Sequence, residues 1–286
     1  MTKRTLLTST GTIVGRANGY DVHLVSRILP PLFEAGLIAG AELMMLNAYY
    51  DRMRAVAEEW RGAGIPFPVI HCEKDVGMFL SDAGALRAAG EFSAADAEIG
   101  RARELFRENC EMGAMVGASR MVLHLWGGKN SDNYLDTNME VLSDFLSILR
   151  PYGIRMLVEN VPSALADPLT NWYRLTDFFP EVGLVFDTRF GNVHRQIAET
   201  LADPVIQPHI EHIHVSDHIG EKKDFASLRP ILHPGEGMID FDAFARLLDG
   251  AGYGGTVTLE SPVIREGGAD GEKLTRTIRH LHTFLV

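Results

Sequence analysis

Short apolar runs alternate along the whole chain with longer segments in which apolar residues recur every three or four positions. This is the pattern of βα units, whose parallel strands are buried on both faces. It predicts strands over 4–8, 42–46, 67–72, 120–125, 155–159, 183–187, 211–216 and 256–260. Helical spacing is carried by Met53, Val56, Ala57 and Trp60, and by Leu135, Met139, Leu142, Leu146 and Leu149. Phe241, Phe244, Leu247 and Leu248 mark a third helix, Leu274, Ile278 and Leu281 the last, and the stretch 76–118 is long enough for two. A TIM barrel of eight such units typically takes about 250 residues. The expected fold is therefore α/β, a (β/α)₈ TIM barrel forming a single domain over 1–286. The competing doubly wound sheet would carry G-x-G-x-x-G after a strand; neither that nor a G-x-x-x-x-G-K-[ST] loop is present.

Composition narrows the partners. The chain is 46% hydrophobic and 23% charged, which fits a globular protein, and its formal net charge of −11 repels phosphate backbones. No nucleic-acid partner is expected. No apolar run reaches the ~18 residues of a membrane span, so no membrane partner is expected either. In the opening MTKRTLLTSTGTIVG, the polar Thr5, Thr8, Ser9, Thr10 and Gly11 interrupt any signal-peptide core, and the segment reads as a first strand. Two cysteines, Cys72 and Cys110, are too few for a disulfide scaffold and point to a reducing, cytoplasmic setting. Tyr49, Tyr50, Trp172 and Tyr173 look exposed and offer surface for a homo-oligomer contact or for loop packing.

The chemistry is concentrated at the strand ends. Catalytic groups of TIM barrels sit at the C-terminal ends of the strands. Here those ends carry His71, with Glu73 beyond, then His124, Glu159, Asp187, His214 and Glu260. Apolar runs that terminate in carboxylates and imidazoles disfavour simple burial unless the groups are paired or metal-bound. Singly, a Glu after a strand is more often a cap and a core His a satisfied structural group; jointly these side chains converge on one axis. Glu159, Asp187, His214 and Glu260 form a mixed oxygen and nitrogen set that favours Mn²⁺ or Mg²⁺ and also suits Zn²⁺. His212, one inward layer below His214, is expected to be a buried hydrogen-bonded histidine rather than a ligand.

LVEN at 157–160, GLVFDT at 183–188, HIHVSD at 212–217, PGEGMIDF at 234–241 and GYGGTVTLESP at 252–262 occur in an order and spacing that resemble the xylose isomerase-like TIM barrels. That family includes sugar epimerases and isomerases, inosose dehydratases and AP endonucleases. The resemblance covers the C-terminal half and reaches the N-terminal half through His71 and His124. It implies one divalent metal held by Glu159, Asp187, His214 and Glu260, with Glu159 and Glu260 as the catalytic pair. One glutamate would remove a carbon-bound proton and the other return one on the opposite face, through an enediolate stabilised by the cation.

The chain also departs from the family pattern. Phe190 stands where a His is common, and Arg229 and Ile231 replace an Asp-x-His pair, with His233 two residues later. These losses weigh against DNA repair. His194 reads as a surface residue opening a helix, and His218 as either a substrate-side group or a solvated loop residue. His71, His124, Trp126, Asn160, Arg189, His218 and Arg265 are the expected substrate-binding residues, with Lys129 a further donor. Trp126 reads more readily as an aromatic cap on the core. Arg265, followed by Gly267 and Gly268, lies where barrels often bind phosphate. The expected activity is isomerisation or epimerisation of a sugar or polyol. The alternatives are dehydration of a keto-polyol, metal-dependent hydrolysis and a non-catalytic binding barrel.

Overall fold

The computed structural model describes residues 4–220 and 228–286. Eight parallel strands close into a barrel in chain order: β1 (Thr5–Ser9), β2 (Ala41–Met44), β3 (Val69–His71), β4 (Arg120–Leu123), β5 (Arg155–Glu159), β6 (Gly183–Asp187), β7 (Ile210–Val215) and β8 (Thr256–Leu259). The fifth and sixth strands have the bounds that the pattern predicts; the others differ by one to three residues at their ends. Around the barrel run α1 (His23–Glu34), α2 (Met53–Gly62), α3 (Asp75–Ala88), α4 (Phe92–Val116), α5 (Leu135–Leu149), α6 (Pro168–Phe178), α7 (Thr188–Val193), α8 (Ile197–Ala202), α9 (Phe241–Gly250) and α10 (Gly271–His282). The expected pair of helices in 76–118 is α3 and α4. A short hairpin of β9 (Ile264–Arg265) and β10 (Gly268–Ala269) follows the eighth strand.

Alternation along the strands divides the apolar residues into two populations. One set faces the helices and forms the large outer core. The other points into the barrel, where Leu7, Val69, Val122, Leu157 and Val185 form a separate buried cluster. Register places Leu157 beside Val122 and Val185 beside His212, so this apolar layer continues into the polar residues of β7. Below it the N-terminal mouth is closed by ion pairs and hydrogen bonds: Arg155 Nε donates to Glu211, and Arg120 Nη1 donates to Thr256 Oγ1 at 2.9 Å. Above it the C-terminal ends carry the acids and histidines. Burying an apolar layer beneath them fixes their height on a rigid floor.

Two loop features bear on the site. Gly77 lets α3 approach the end of β4, since a Cβ there would lie 2.1 Å from the His124 carbonyl oxygen. After β7, Asp217 is fully buried and accepts from the backbone N–H groups of His218, Gly235, Gly237 and Ile239. The Asp of HIHVSD and the turn of PGEGMIDF are thus partners in one loop anchor.

The aromatics that read as exposed are mostly core. Tyr49 and Trp172 are fully buried because both belong to helical stripes that face the barrel. Tyr50 is half-buried, with its hydroxyl accepting from Asn109 Nδ2, and Tyr173 alone stays at the surface, bonded to Asp203. Among the described residues no helix is long and apolar enough to cross a membrane. Cys72 and Cys110 are free and buried.

Candidate functional site

A cavity of about 590 Å³ opens at the C-terminal ends of the strands. Its floor is made by His71, His124, Glu159, Arg189 and Glu260, and its wall by apolar groups including Val14, Met44, Met78 and Phe190. One donor atom from each of Glu159, Asp187, His214 and Glu260 lies within 4.8 Å of the others, so the structure brings together the set expected from the strand ends. His71, Glu159, Asp187 and His214 lie on strands, His124 and Glu260 directly follow β4 and β8, and the spacing follows from the barrel register, which pairs Asp187 with His214 directly.

Each of these groups has neighbours that set its charge. Burial opposes the charge of Glu159, but His214 and His124 outweigh it and hold the carboxyl well below its ordinary range. His214 Nδ1 is 2.7 Å from Glu159 Oε1 and 3.6 Å from Glu260 Oε2. His124 Nε2 is 2.5 Å from Glu159 Oε2, and His71 Nε2 3.4 Å. Burial works against a charge on His214 too, yet Glu260, Glu42 and Glu159 raise its pKa well above the usual imidazole value. The same contest holds His71 up at about 9, through Glu159. For His124 burial prevails and lowers it. Glu260 is pushed up to about 7 by burial and by Glu159 and Glu42, against the pull of His214.

Asp187 serves two ends. Its Oδ1 accepts from the backbone N–H groups of Arg189 and Phe190 and so caps α7, while Oδ2 lies 3.3 Å from Arg189 Nη2. Arg189 also approaches Glu260 Oε2 at 4.0 Å and is a fixed positive charge within the acidic floor. Glu260 Oε1 is buried with no hydrogen-bond partner among the described residues. A buried carboxylate oxygen left this way, among three other hard or imidazole donors, fits a divalent cation. Two further donor groups overlap with this one: His71, His124 and Glu159 share Glu159 with it, and Glu42, His71, His214 and Glu260 share His214 and Glu260.

The remaining expected residues divide by place. His71, His124 and Arg189 line the cavity. Trp126 does not: it is fully buried and its Nε1 donates to the Val161 carbonyl, because the chain turns inward after β4. Asn160 is also set back, exchanging hydrogen bonds with the Asp187 backbone and bracing β5 against β6. His218 is completely buried and faces Asn192 at 3.1 Å, so it is neither a solvated loop residue nor part of the cavity. Arg265 is exposed on β9, outside the cavity lining, and Lys129 is exposed beyond the rim. His194 lies between α7 and α8 and is buried, with Ser163 N–H donating to its Nε2; it does not open a surface helix. His233 is held by Thr277 and the Pro262 carbonyl, away from the donor groups, whereas Arg229 and Ile231 do line the cavity.

One buried acid was missed. Glu42, the second residue of β2, accepts at Oε2 from His212 Nε2 at 2.7 Å, His214 Nε2 at 3.1 Å and Thr258 Oγ1 at 3.0 Å. Burial opposes its charge, but His214 and His212 hold it well below the usual carboxylate range. The signal available in the sequence was an acid inside the apolar run AELMML, where burial demands a partner. His212 is buried and hydrogen-bonded as expected, and burial pushes it down to about 4 against the pull of Glu42.

Comparison with known proteins bears on the whole fold. The chain is 26% identical over 175 residues to an uncharacterized protein from Methanocaldococcus jannaschii, covering 57% of each chain, so it spans little more than half of that relative. It superposes on D-allulose 3-epimerase from Methylomonas sp. in complex with D-allulose with a TM-score of 0.71 and 14% identity, covering 100% of this chain and 98% of that one. With the IolI protein carrying a bound zinc atom the TM-score is 0.67 at 17% identity, over 99% and 98% of the two chains. Likeness at that identity concerns the fold. The model of the xylose isomerase-like TIM barrel family matches residues 33–283, and the chain belongs to that family.

Proposed function

We propose that this protein is a divalent-metal-dependent isomerase or epimerase of a small sugar or polyol. The observation that carries the reading is the group Glu159, Asp187, His214 and Glu260, whose two glutamates line the cavity. The D-allulose 3-epimerase and the zinc-bound IolI share the fold, which supports a sugar substrate and a divalent metal.

Glu159, Asp187, His214 and Glu260 would hold one ion, Mn²⁺ or Mg²⁺ by the oxygen-rich donor set, with Zn²⁺ also compatible. A divalent cation there supplies Lewis-acid polarisation of a carbonyl oxygen and neutralises part of the acidic floor. Glu159 and Glu260 come from strands separated by β6 and β7 and reach one substrate position from two directions. One takes the carbon-bound proton and the other returns a proton on the opposite face. Cation charge lowers both carboxyls, which favours the base form that abstraction requires. His71 and His124 contact Glu159 and orient it, and Arg189 offers donors to substrate oxygens beside Asp187. The apolar wall excludes water around the polyol. An acidic surface favours a small-molecule partner over nucleic acid, and the two free buried thiols support a reducing, cytoplasmic setting.

The test is elemental analysis of purified protein followed by incubation with ketoses and polyols in D₂O. About one equivalent of metal, and deuterium in an intact isomer, are expected. Loss of water from the product would make the protein a dehydratase. Failure to retain any of the three ions, with no exchange on any candidate, would sink the metal-enzyme reading and leave a binding barrel. Metal-dependent hydrolysis is favoured by one specific observation, the second donor group sharing Glu159; about two equivalents of metal with hydrolysis of an ester would decide for it.

A further inference from the structure

We propose that Glu42 is a positioning residue of this centre, which holds His214 through Nε2 so that Nδ1 is the ring nitrogen turned toward Glu159 and Glu260. The inference rests on the metal reading above and adds a residue outside the four donors. Glu42 is completely buried and does not line the cavity; one of its oxygens lies within 4.8 Å of donor atoms of His71, His214 and Glu260, and its hydrogen bond to Nε2 places it behind the His214 ring.

Hydrogen-bond accounting fixes the protons. A carboxylate only accepts, so the Nε2 atoms of His212 and His214, both bonded to Glu42 Oε2, each carry hydrogen. For His212 the other nitrogen is accounted for independently. Arg120 Nη1 donates to Thr256 Oγ1, and the Thr256 hydroxyl is then free to donate to His212 Nδ1 at 2.5 Å. His212 is thereby the neutral Nε2–H tautomer, fed from the N-terminal mouth of the barrel.

His214 differs only at its other nitrogen, which has two carboxylates beside it: in the metal-free protein Nδ1 also donates, to Glu159 Oε1 at 2.7 Å, and a cation would take the place of that hydrogen. An unanchored neutral imidazole can place its single hydrogen on Nδ1 and so block the lone pair that a metal needs. With Nε2–H committed to Glu42, Nδ1 faces the cation site. A carboxylate behind a metal-binding histidine orients the ring and strengthens the ligand, and its loss commonly costs about 10- to 100-fold in metal affinity. Thr258 on β8 donates to the same Oε2, so the anchor is tied to the strand that delivers Glu260.

The experiment uses the full chain with ¹⁵N-labelled histidine, Zn²⁺ and Mn²⁺ as probes, and the variants Glu42→Gln and Thr258→Val. For wild type, ring ¹⁵N shifts should show His214 protonated at Nε2 with and without metal. Glu42→Gln should lower Zn²⁺ affinity by about 10- to 100-fold and change the His214 ring signal, while Thr258→Val, losing one of three hydrogen bonds, should lose less than about tenfold. A folded Glu42→Gln protein with wild-type affinity and an unchanged His214 signal would overturn the proposal. Abolished binding with an unchanged signal would also overturn it, and would make Glu42 a ligand. Should Glu42→Gln not fold, unaltered affinity and ring signal in Thr258→Val refute the anchor. Should wild type bind neither ion, the metal reading fails, and the ring signals alone still decide whether Glu42 holds His214.

Discussion

His212 and His214 lie on the same strand, point the same way and share one carboxylate oxygen, yet their surroundings give them opposite properties. His212 sits beside Val185 in the apolar layer, and burial pushes it down to about 4. His214, two residues on, faces Glu159 and Glu260 and is raised well above the ordinary imidazole range. Residue type therefore does not mark the site here; height in the barrel does. The lower layer is a closed hydrogen-bonded plug, and the upper layer is a cluster of acids, raised histidines and Arg189 in which a buried Glu260 oxygen is left for a cation or a substrate.

The strongest test of that contrast is to neutralise the upper acids. Glu159→Gln and Glu260→Gln should each lower turnover by about 10²- to 10⁴-fold, the range for loss of a positioned acid or base. Solvent deuterium incorporation is the measurement. The metal-free Glu260→Gln protein should be no less stable than wild type, because burial and two neighbouring carboxylates already disfavour that charge. Strong destabilisation on urea unfolding would mean that the upper layer is a structural plug like the lower one.

Next in size is pH dependence, where the layers should act with opposite sign. His212 has a folded pKa of about 4, below the ordinary 6.5, so the unfolded chain binds more protons between those values. Stability then falls as pH drops from 6.5 toward 4, by up to about 1.4 kcal/mol per pH unit. His71, held up at about 9, contributes stability that is complete below 6.5 and is lost as pH rises through 9. Urea midpoints across pH should show His212→Gln flattening the acid limb and His71→Gln flattening the alkaline limb of the metal-free protein. If both changes moved the same limb, depth would not be what separates the two histidines.

A smaller effect should come from the loop above β7. A Cβ on Gly237 would lie 2.3 Å from Asp217 Oδ1 and 2.4 Å from the His218 carbonyl oxygen. Gly237→Ala must displace that anchor and should cost about 1–3 kcal/mol, seen as a lower melting temperature. Metal affinity should hold, since the donors lie on strands or directly follow one. A parallel loss of metal would show that the loop, not the barrel, sets the geometry of His214.

The same contrast explains what could be read from the sequence. Glu159, Asp187, His214 and Glu260 were legible because strand ends in a parallel barrel converge by topology, whatever the loops do. Glu42 was not, since it stands early in its strand and reaches the site through two histidines instead of by position along the chain. His218 and His194 were misplaced, and Trp126 joined the core rather than the substrate side, for a related reason. Each follows a strand or helix end, where the chain direction changes and alternation no longer tells inside from outside. Arg265 lies on a hairpin that carries it away from the cavity, a turn that strand periodicity does not encode.

The smallest expected effect separates the floor of the cavity from its wall. Phe190 occupies the position where a histidine is common in the family pattern, and it contributes a ring rather than a ligand. The Arg189 guanidinium lies 5.2 Å from the ring centroid, while the His124 ring stands edge-on to it at 6.5 Å. An aromatic face under a guanidinium contributes about 0.5–1 kcal/mol where water is present, and Arg189 keeps its contact with Asp187 when the ring is removed. Phe190→Leu should therefore raise KM by about two- to fivefold, the equivalent of that energy, with kcat and metal content little changed. Steady-state kinetics on the substrate identified by deuterium exchange would separate the two constants. A hundredfold fall in kcat would place Phe190 among the groups that control the reacting atoms, and the division between an apolar wall that shapes binding and a charged floor that does chemistry would no longer stand.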